Sequence, residues 1–137
     1  MATEQDLKGA IIKAVANIPE CLASGYVDIR SGLLLDIKTI DSHPSAVIDL
    51  LAAATADLFQ GQNVLAIEEI FKRSRGVENN NHYFQEIIVN SENLIHVFLR
   101  SKKYPDYVAV FVCRNTVNIG MMLAKARLAL PHFEASM

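Results

Sequence analysis

Residues 47–59 read Val-Ile-Asp-Leu-Leu-Ala-Ala-Ala-Thr-Ala-Asp-Leu-Phe, and how this run is covered decides what fold the chain can have. A surface helix normally keeps one polar face. Here Leu50 to Ala56 offers almost no polar residue to any side, so a helix over this run needs cover nearly all round. In a chain of 137 residues one sheet can shield only one flank. The other flank needs a second chain or a bound partner, and its alanines let another backbone come close. With Asp49 and Asp57 inside it, the run is also too short and too interrupted to span a bilayer.

On the N-terminal side of this run, Asp41-Ser42-His43-Pro44 is a helix start, with Ser42 or Asp41 as cap and Pro44 in the first turn. Beyond it, Gly61 either kinks or weakens the helix, and apolar periodicity resumes at Val64, Leu65, Ile67, Ile70 and Phe71. Upstream, Leu7, Ile11, Ala14 and Val15 predict a short amphipathic helix ending near Asn17 and Pro19. Tyr26 to Arg30, the Ser31-Gly32 turn and Leu33 to Lys38 then predict a β-hairpin. Downstream, an asparagine-rich loop over Gly76 to Asn81 precedes a second hairpin, Tyr83 to Asn90 and Leu94 to Arg100, turning at Ser91-Glu92. Tyr107 to Val112 is continuously apolar, the pattern of a central strand covered on both faces. Asn115 or Thr116 caps a last helix through Val117, Ile119, Met122, Leu123 and Ala126, which Pro131 ends. The order α-β-β-α-β-β-β-α predicts an α/β chain of the α+β type. It is expected to be a single domain over 1–137, with one five-stranded antiparallel sheet and helices on both faces.

A formal net charge of -2 gives no general pull toward nucleic acid or an anionic membrane, so neither is an expected partner. Cys21 and Cys113 stand far apart and lack zinc-ligand spacing; they read as two buried thiols acting as small apolar groups. Met-Ala-Thr-Glu-Gln-Asp carries acid where a secretion signal needs basic charge, so the expected location is the cytoplasm. The six glycines form no phosphate loop, and His43, His82, His96 and His132 lack metal-ligand spacing. Glu68 and Glu69, being adjacent on a helix, point in different directions and make no paired-carboxylate site. No catalytic residue, cofactor or metal is therefore expected, and the chain does not read as an enzyme. Lys72, Arg73 and Arg75, with Arg100, Lys102 and Lys103, flank the second hairpin and are the one candidate basic patch for an acidic partner, or else solvated loop ends. Met121-Met122 reads as core packing.

Three local patterns resemble the roadblock/dynein-light-chain family, which has a profilin-like architecture. They are the hairpin Ser24-Gly25-Tyr26-Val27-Asp28 through Ser31-Gly32-Leu33-Leu34-Leu35, the alanine- and leucine-rich helix after Pro44, and Val117-Asn118-Ile119-Gly120-Met121-Met122 opening the last helix. Their order spans nearly the whole chain. The resemblance implies a homodimer in which central helices pair and third strands join two sheets into one. On that analogy the pairing surface comprises Ile48, Leu51, Ala52, Thr55, Leu58 and Phe59 on the helix, with Tyr83, Gln85 and Ile87 along the strand edge. It also implies a scaffold or regulator of a small Ras-like GTPase. A competing reading is a small-molecule sensor of PAS-like shape, for which His96, Tyr83 and Cys113 are the candidate cavity residues.

Overall fold

The computed structural model describes residues 4–40, 45–76 and 82–137, with side chains described from residue 6 and, in the central helix, from residue 51. The helix start at Asp41 to Pro44 and most of the loop from Gly76 to Asn81 lie outside the described residues. The elements run α1 (Glu4–Asn17), β1 (Cys21–Asp28), β2 (Leu33–Thr39), α2 (Ser45–Gln60), α3 (Gln62–Arg75), β3 (Glu86–Asn90), β4 (Leu94–Arg100), β5 (Tyr107–Arg114) and α4 (Ile119–Ala135). The five strands make one antiparallel sheet in the order β2-β1-β5-β4-β3. The long apolar run β5 takes the central place, and the two hairpins flank it.

Each face of the sheet gathers its own core. Toward α1 and α4 lie Tyr26, Ile95, Val97, Leu99, Ala109, Phe111 and Cys113, meeting Leu7, Ile11, Met122, Ala126 and Phe133. Toward α2 lie Val27, Ile29, Phe98 and Val108, meeting Ala52 and Phe59. The alternation Val108, Ala109, Val110, Phe111 sends successive β5 side chains to opposite faces, so a strand buried on both has no room for a polar residue.

Glycine makes two decisive bends. Gly32 closes the first hairpin with φ of 72°, a conformation that side chains disfavour, while its N–H donates to the Asp28 carbonyl at 2.9 Å. At Gly61 the central helix breaks instead of kinking: φ is -57° and ψ is 152°, and a Cβ there would sit 2.8 Å from the Asp57 carbonyl oxygen. The helix thus runs as two segments.

The last helix departs from the expectation at both ends. Its cap is Asn118, whose side chain accepts from the Met121 N–H at 3.0 Å, and not Asn115 or Thr116. It also continues through Pro131 to Ala135. Proline forfeits one helix bond, but tertiary contacts anchor the final turn. Phe133 is fully buried, and the Glu134 carboxylate accepts from the Ser101 hydroxyl and, at 2.7 Å, from the Lys103 N–H. Met122 is buried as expected, whereas Met121 faces outward.

Candidate functional site

The central helix presents two different apolar stripes. Ala52, Thr55 and Phe59, spaced by three and four residues, share one face and are at most 2% exposed. Ala52 and Phe59 pack on the chain's own sheet with Val27, Phe98 and Val108, and Thr55 lies between them on the same face. Thr55 tolerates this burial because its hydroxyl donates to the Leu51 carbonyl at 2.8 Å. These three were expected in a pairing surface; the structure corrects that, since they are core. The outward stripe is Leu51, 51% exposed, with Ala54 and Leu58 following at the same helical spacing. The side chain of Ile48 lies outside the described residues.

Helix α3 inverts the usual pattern. Its one buried residue is a carboxylate, Glu68, while Leu65, Ile67, Phe71 and Ile70 (59% exposed) all face outward. Glu68 is buried because it serves the backbone of the segment entering β3. It accepts from the Tyr83 N–H at 2.6 Å and the Phe84 N–H at 3.3 Å, and meets His82 Nδ1 at 3.1 Å. Burial alone pushes its carboxyl group up, but the bonds from His82, Phe84 and Tyr83 outweigh this and hold it below the ordinary glutamate range. A depressed folded value means that the stabilisation is present above the unfolded value, near 4.3, and is lost as pH falls through the folded value. Glu68→Gln is therefore expected to cost about 1–3 kcal/mol at pH 7. The gap to the parent should narrow by pH 3, as Glu68 in the parent gains its proton; urea titrations at the two pH values measure it.

Arg100 completes this junction from the sheet side. It is 3% exposed, donates from Nε to the Phe84 carbonyl at 2.9 Å and from Nη1 to the Pro105 carbonyl at 2.7 Å, and lies 5.0 Å from the centre of the Phe59 ring. This removes Arg100 from the expected basic patch. Lys72, Arg73 and Arg75 remain on the last turns of α3, and Lys102 and Lys103 on the connection from β4 to β5. Arg73 pairs with Glu69 at 3.7 Å, Arg75 lies over the Tyr83 ring and Lys103 over Tyr104.

The edge of the sheet also starts later than expected. β3 begins at Glu86, so Tyr83 and Gln85 precede it. Tyr83 turns its ring onto Phe71 of α3 at 5.4 Å, and the Gln85 amide donates to the His82 carbonyl at 2.6 Å. Ile87 does lie in the strand, half-buried opposite Phe98. Ile88 and Val89 are exposed on this strand, which among the described residues lies at the edge of the sheet beside β4.

Beside the outward stripe of α2 the sheet is only part-covered. Leu51, Ala54 and Leu58 and the half-buried Leu94, His96, Val110 and Val112 bound an open apolar groove of about 470 Å³. His96 stacks on Phe98 and meets the Ser91 hydroxyl at 3.3 Å; burial pushes its imidazole below the ordinary value. The other two residues expected to line a sensor cavity lie elsewhere. Cys113 is in the core beneath α1 and α4, and Tyr83 is against α3. Among the described residues no group of three or more His, Cys, Asp or Glu could hold a metal ion, and no helix is long and apolar enough to cross a membrane.

One antiparallel sheet in the order β2-β1-β5-β4-β3, with α1 and α4 on one face and α2 on the other, is the architecture of the roadblock/LC7 class, and the chain has that fold. Its similarity to a Roadblock/LC7 domain from Streptomyces avermitilis has a TM-score of 0.67 at 9% identity, covering 93% of each chain. The gliding protein MglB from Thermus thermophilus matches with a TM-score of 0.71 at 16% identity, over 97% of this chain and 89% of that one. MglB in a tetrameric arrangement matches with a TM-score of 0.70 at 16% identity, over 98% and 92%. No protein-family model and no curated protein matches the sequence.

Proposed function

We propose that this chain is a non-enzymatic, homodimeric interaction module that scaffolds or regulates a small Ras-like GTPase. The observation that carries the proposal is the exposed apolar surface of the two helices: Leu51 and Leu58 on the outward stripe of α2, and Leu65, Ile70 and Phe71 spread around α3, are all exposed in the single chain. So many large apolar side chains on two successive helices mark an association surface. A second copy covers it economically, because a two-fold contact buries each leucine twice. The β3 edge, with Ile88 and Val89 exposed, offers a second line of contact through strand pairing. The tetrameric arrangement of MglB, a structural neighbour, supports self-association as a property this fold accommodates. The GTPase partner rests on the family resemblance and on the fold shared with MglB.

On this reading no side chain performs covalent chemistry; the module offers a rigid surface, and its expected place is the cytoplasm. The open groove beside α2 is read as a continuation of the pairing surface, since Leu51, Ala54 and Leu58 belong to both. Binding of purified Ras-like GTPases, loaded with GDP or a non-hydrolysable GTP analogue, tests the partner. Saturable binding of at least one of them supports it, and absence of binding to any, by a chain shown to be dimeric, removes the GTPase while leaving the dimer.

A further inference from the structure

Cys21 and Cys113 lie near opposite ends of the sequence, yet they are direct partners across β1 and β5. Both are buried free thiols. Directly opposed residues of an antiparallel pair have Cα atoms about 4.5 or 5.5 Å apart, and a disulfide accepts roughly 4.4–6.8 Å. The pairing therefore sets the two cysteines opposite each other at about the spacing a disulfide needs. We propose that Cys21 and Cys113 form a reversible cross-strand disulfide, making this end of the β1–β5 pair a thiol–disulfide switch.

Three features make the pair reactive as well as close. Cys21 occupies the outermost paired position of β1 on β5, next to an irregularity in register before Ala23, so a local opening that breaks the Arg114 N–H bond to the Glu20 carbonyl would expose it. Glu20, just before it, is the one described non-glycine residue with positive φ, at 53°. The two thiols are also inequivalent. Cys113 beside it, together with backbone groups, holds the Cys21 thiol below the ordinary value, while Cys21 and burial push Cys113 up. Cys21, at the strand end, is the thiol an oxidant reaches first, so it is assigned as the attacking thiolate and Cys113 as the resolving thiol.

With a small-molecule disulfide such as oxidised glutathione as oxidant, the Cys21 thiolate attacks one sulfur and displaces one glutathione thiolate. Cys113 then loses its proton to solvent and attacks the Cys21 sulfur, releasing the second glutathione. Two protein thiols are oxidised and one glutathione disulfide is reduced. Because the bond closes a loop that takes in most of the chain, the oxidised form should melt higher by roughly 10 °C.

The test equilibrates the reduced, folded chain with reduced and oxidised glutathione at graded ratios, quenches with acid, and reads intact mass, peptide map and melting temperature. Expected is a species lighter by two hydrogens, with Cys21 linked to Cys113, both thiols lost together, and a melting shift that dithiothreitol reverses. Glutathione adducts on one cysteine without the cross-link overturn the proposal. So do two free thiols at every ratio, after incubation long enough to oxidise the same chain in urea. Cys21→Ala should abolish the melting shift; a shift that persists in it also overturns the proposal, and if that variant does not fold, the mass and melting of the parent decide.

Discussion

Glutamate at both Leu51 and Leu58 is expected to leave the chain folded and to weaken its self-association by at least ~100-fold. Both side chains face outward in the single chain, so the fold loses little by the change; exposed substitutions usually fall within about 0.5 kcal/mol of neutral. At a two-fold interface each leucine counts twice, so four side chains leave the contact. Completing the burial of a half-exposed leucine contributes about 1 kcal/mol, giving roughly 4 kcal/mol for the four. Four carboxylates brought together add repulsion and desolvation to that loss. Since each ~1.4 kcal/mol is about tenfold in affinity, a change of about 100-fold is the lower bound. Sedimentation velocity over a concentration series, with circular dichroism as the control for folding, measures it. An unchanged assembly would clear this stripe of the role.

Ala52→Glu, one residue away, is expected to do the opposite: it should destroy the fold instead of the assembly. Ala52 is 2% exposed and packs against the sheet beside Phe59, Val27 and Val108. A glutamate there must place an unpaired carboxylate in an apolar layer, which costs about 3–5 kcal/mol, and also overfills a packed site for about 1–3 more. Domains carry only about 5–15 kcal/mol of stability in total, so the variant should be largely unfolded or aggregated. Thermal melting and the soluble yield check this. A stable, monomeric Ala52→Glu chain would show that Ala52 faces outward, contrary to its place between α2 and the sheet.

The contrast between these neighbours shows what was legible in the sequence and what was not. Although the expected single central helix is two, α2 and α3, the succession of strands and helices along the chain came from local signals: the Ser31-Gly32 turn, the Ser91-Glu92 turn and the unbroken apolar run of β5. The facing of α2 did not. A helix apolar on nearly every side carries no polar stripe to say which flank is inside, so Ala52, Thr55 and Phe59 could not be told from Leu51 and Leu58. The sequence shows Glu68 only as pointing away from Glu69; its burial is not legible there because its partners include backbone N–H groups of residues 83 and 84, which carry no side-chain signature. Arg100 read as a surface cation for the same reason: its two carbonyl partners belong to Phe84 and Pro105. The facing of Cys21 and Cys113 is a matter of register between strands near opposite ends of the chain, and no local pattern encodes it. Pro131 looked like a helix stop because the anchors that carry α4 past it, Phe133 and the bonds of Glu134, are tertiary.

The exposed apolar surface of Leu51 and Leu58 on α2 and Leu65, Ile70 and Phe71 on α3 is the point on which the proposed function turns, since that proposal requires a second copy of the chain to shield it. Sedimentation equilibrium of the unmodified chain, from nanomolar to tens of micromolar, tests this most directly. Shielding of this kind requires a reversible monomer–dimer equilibrium with dimer dominant at micromolar concentration. A single ideal species of monomer mass across the whole range would contradict it.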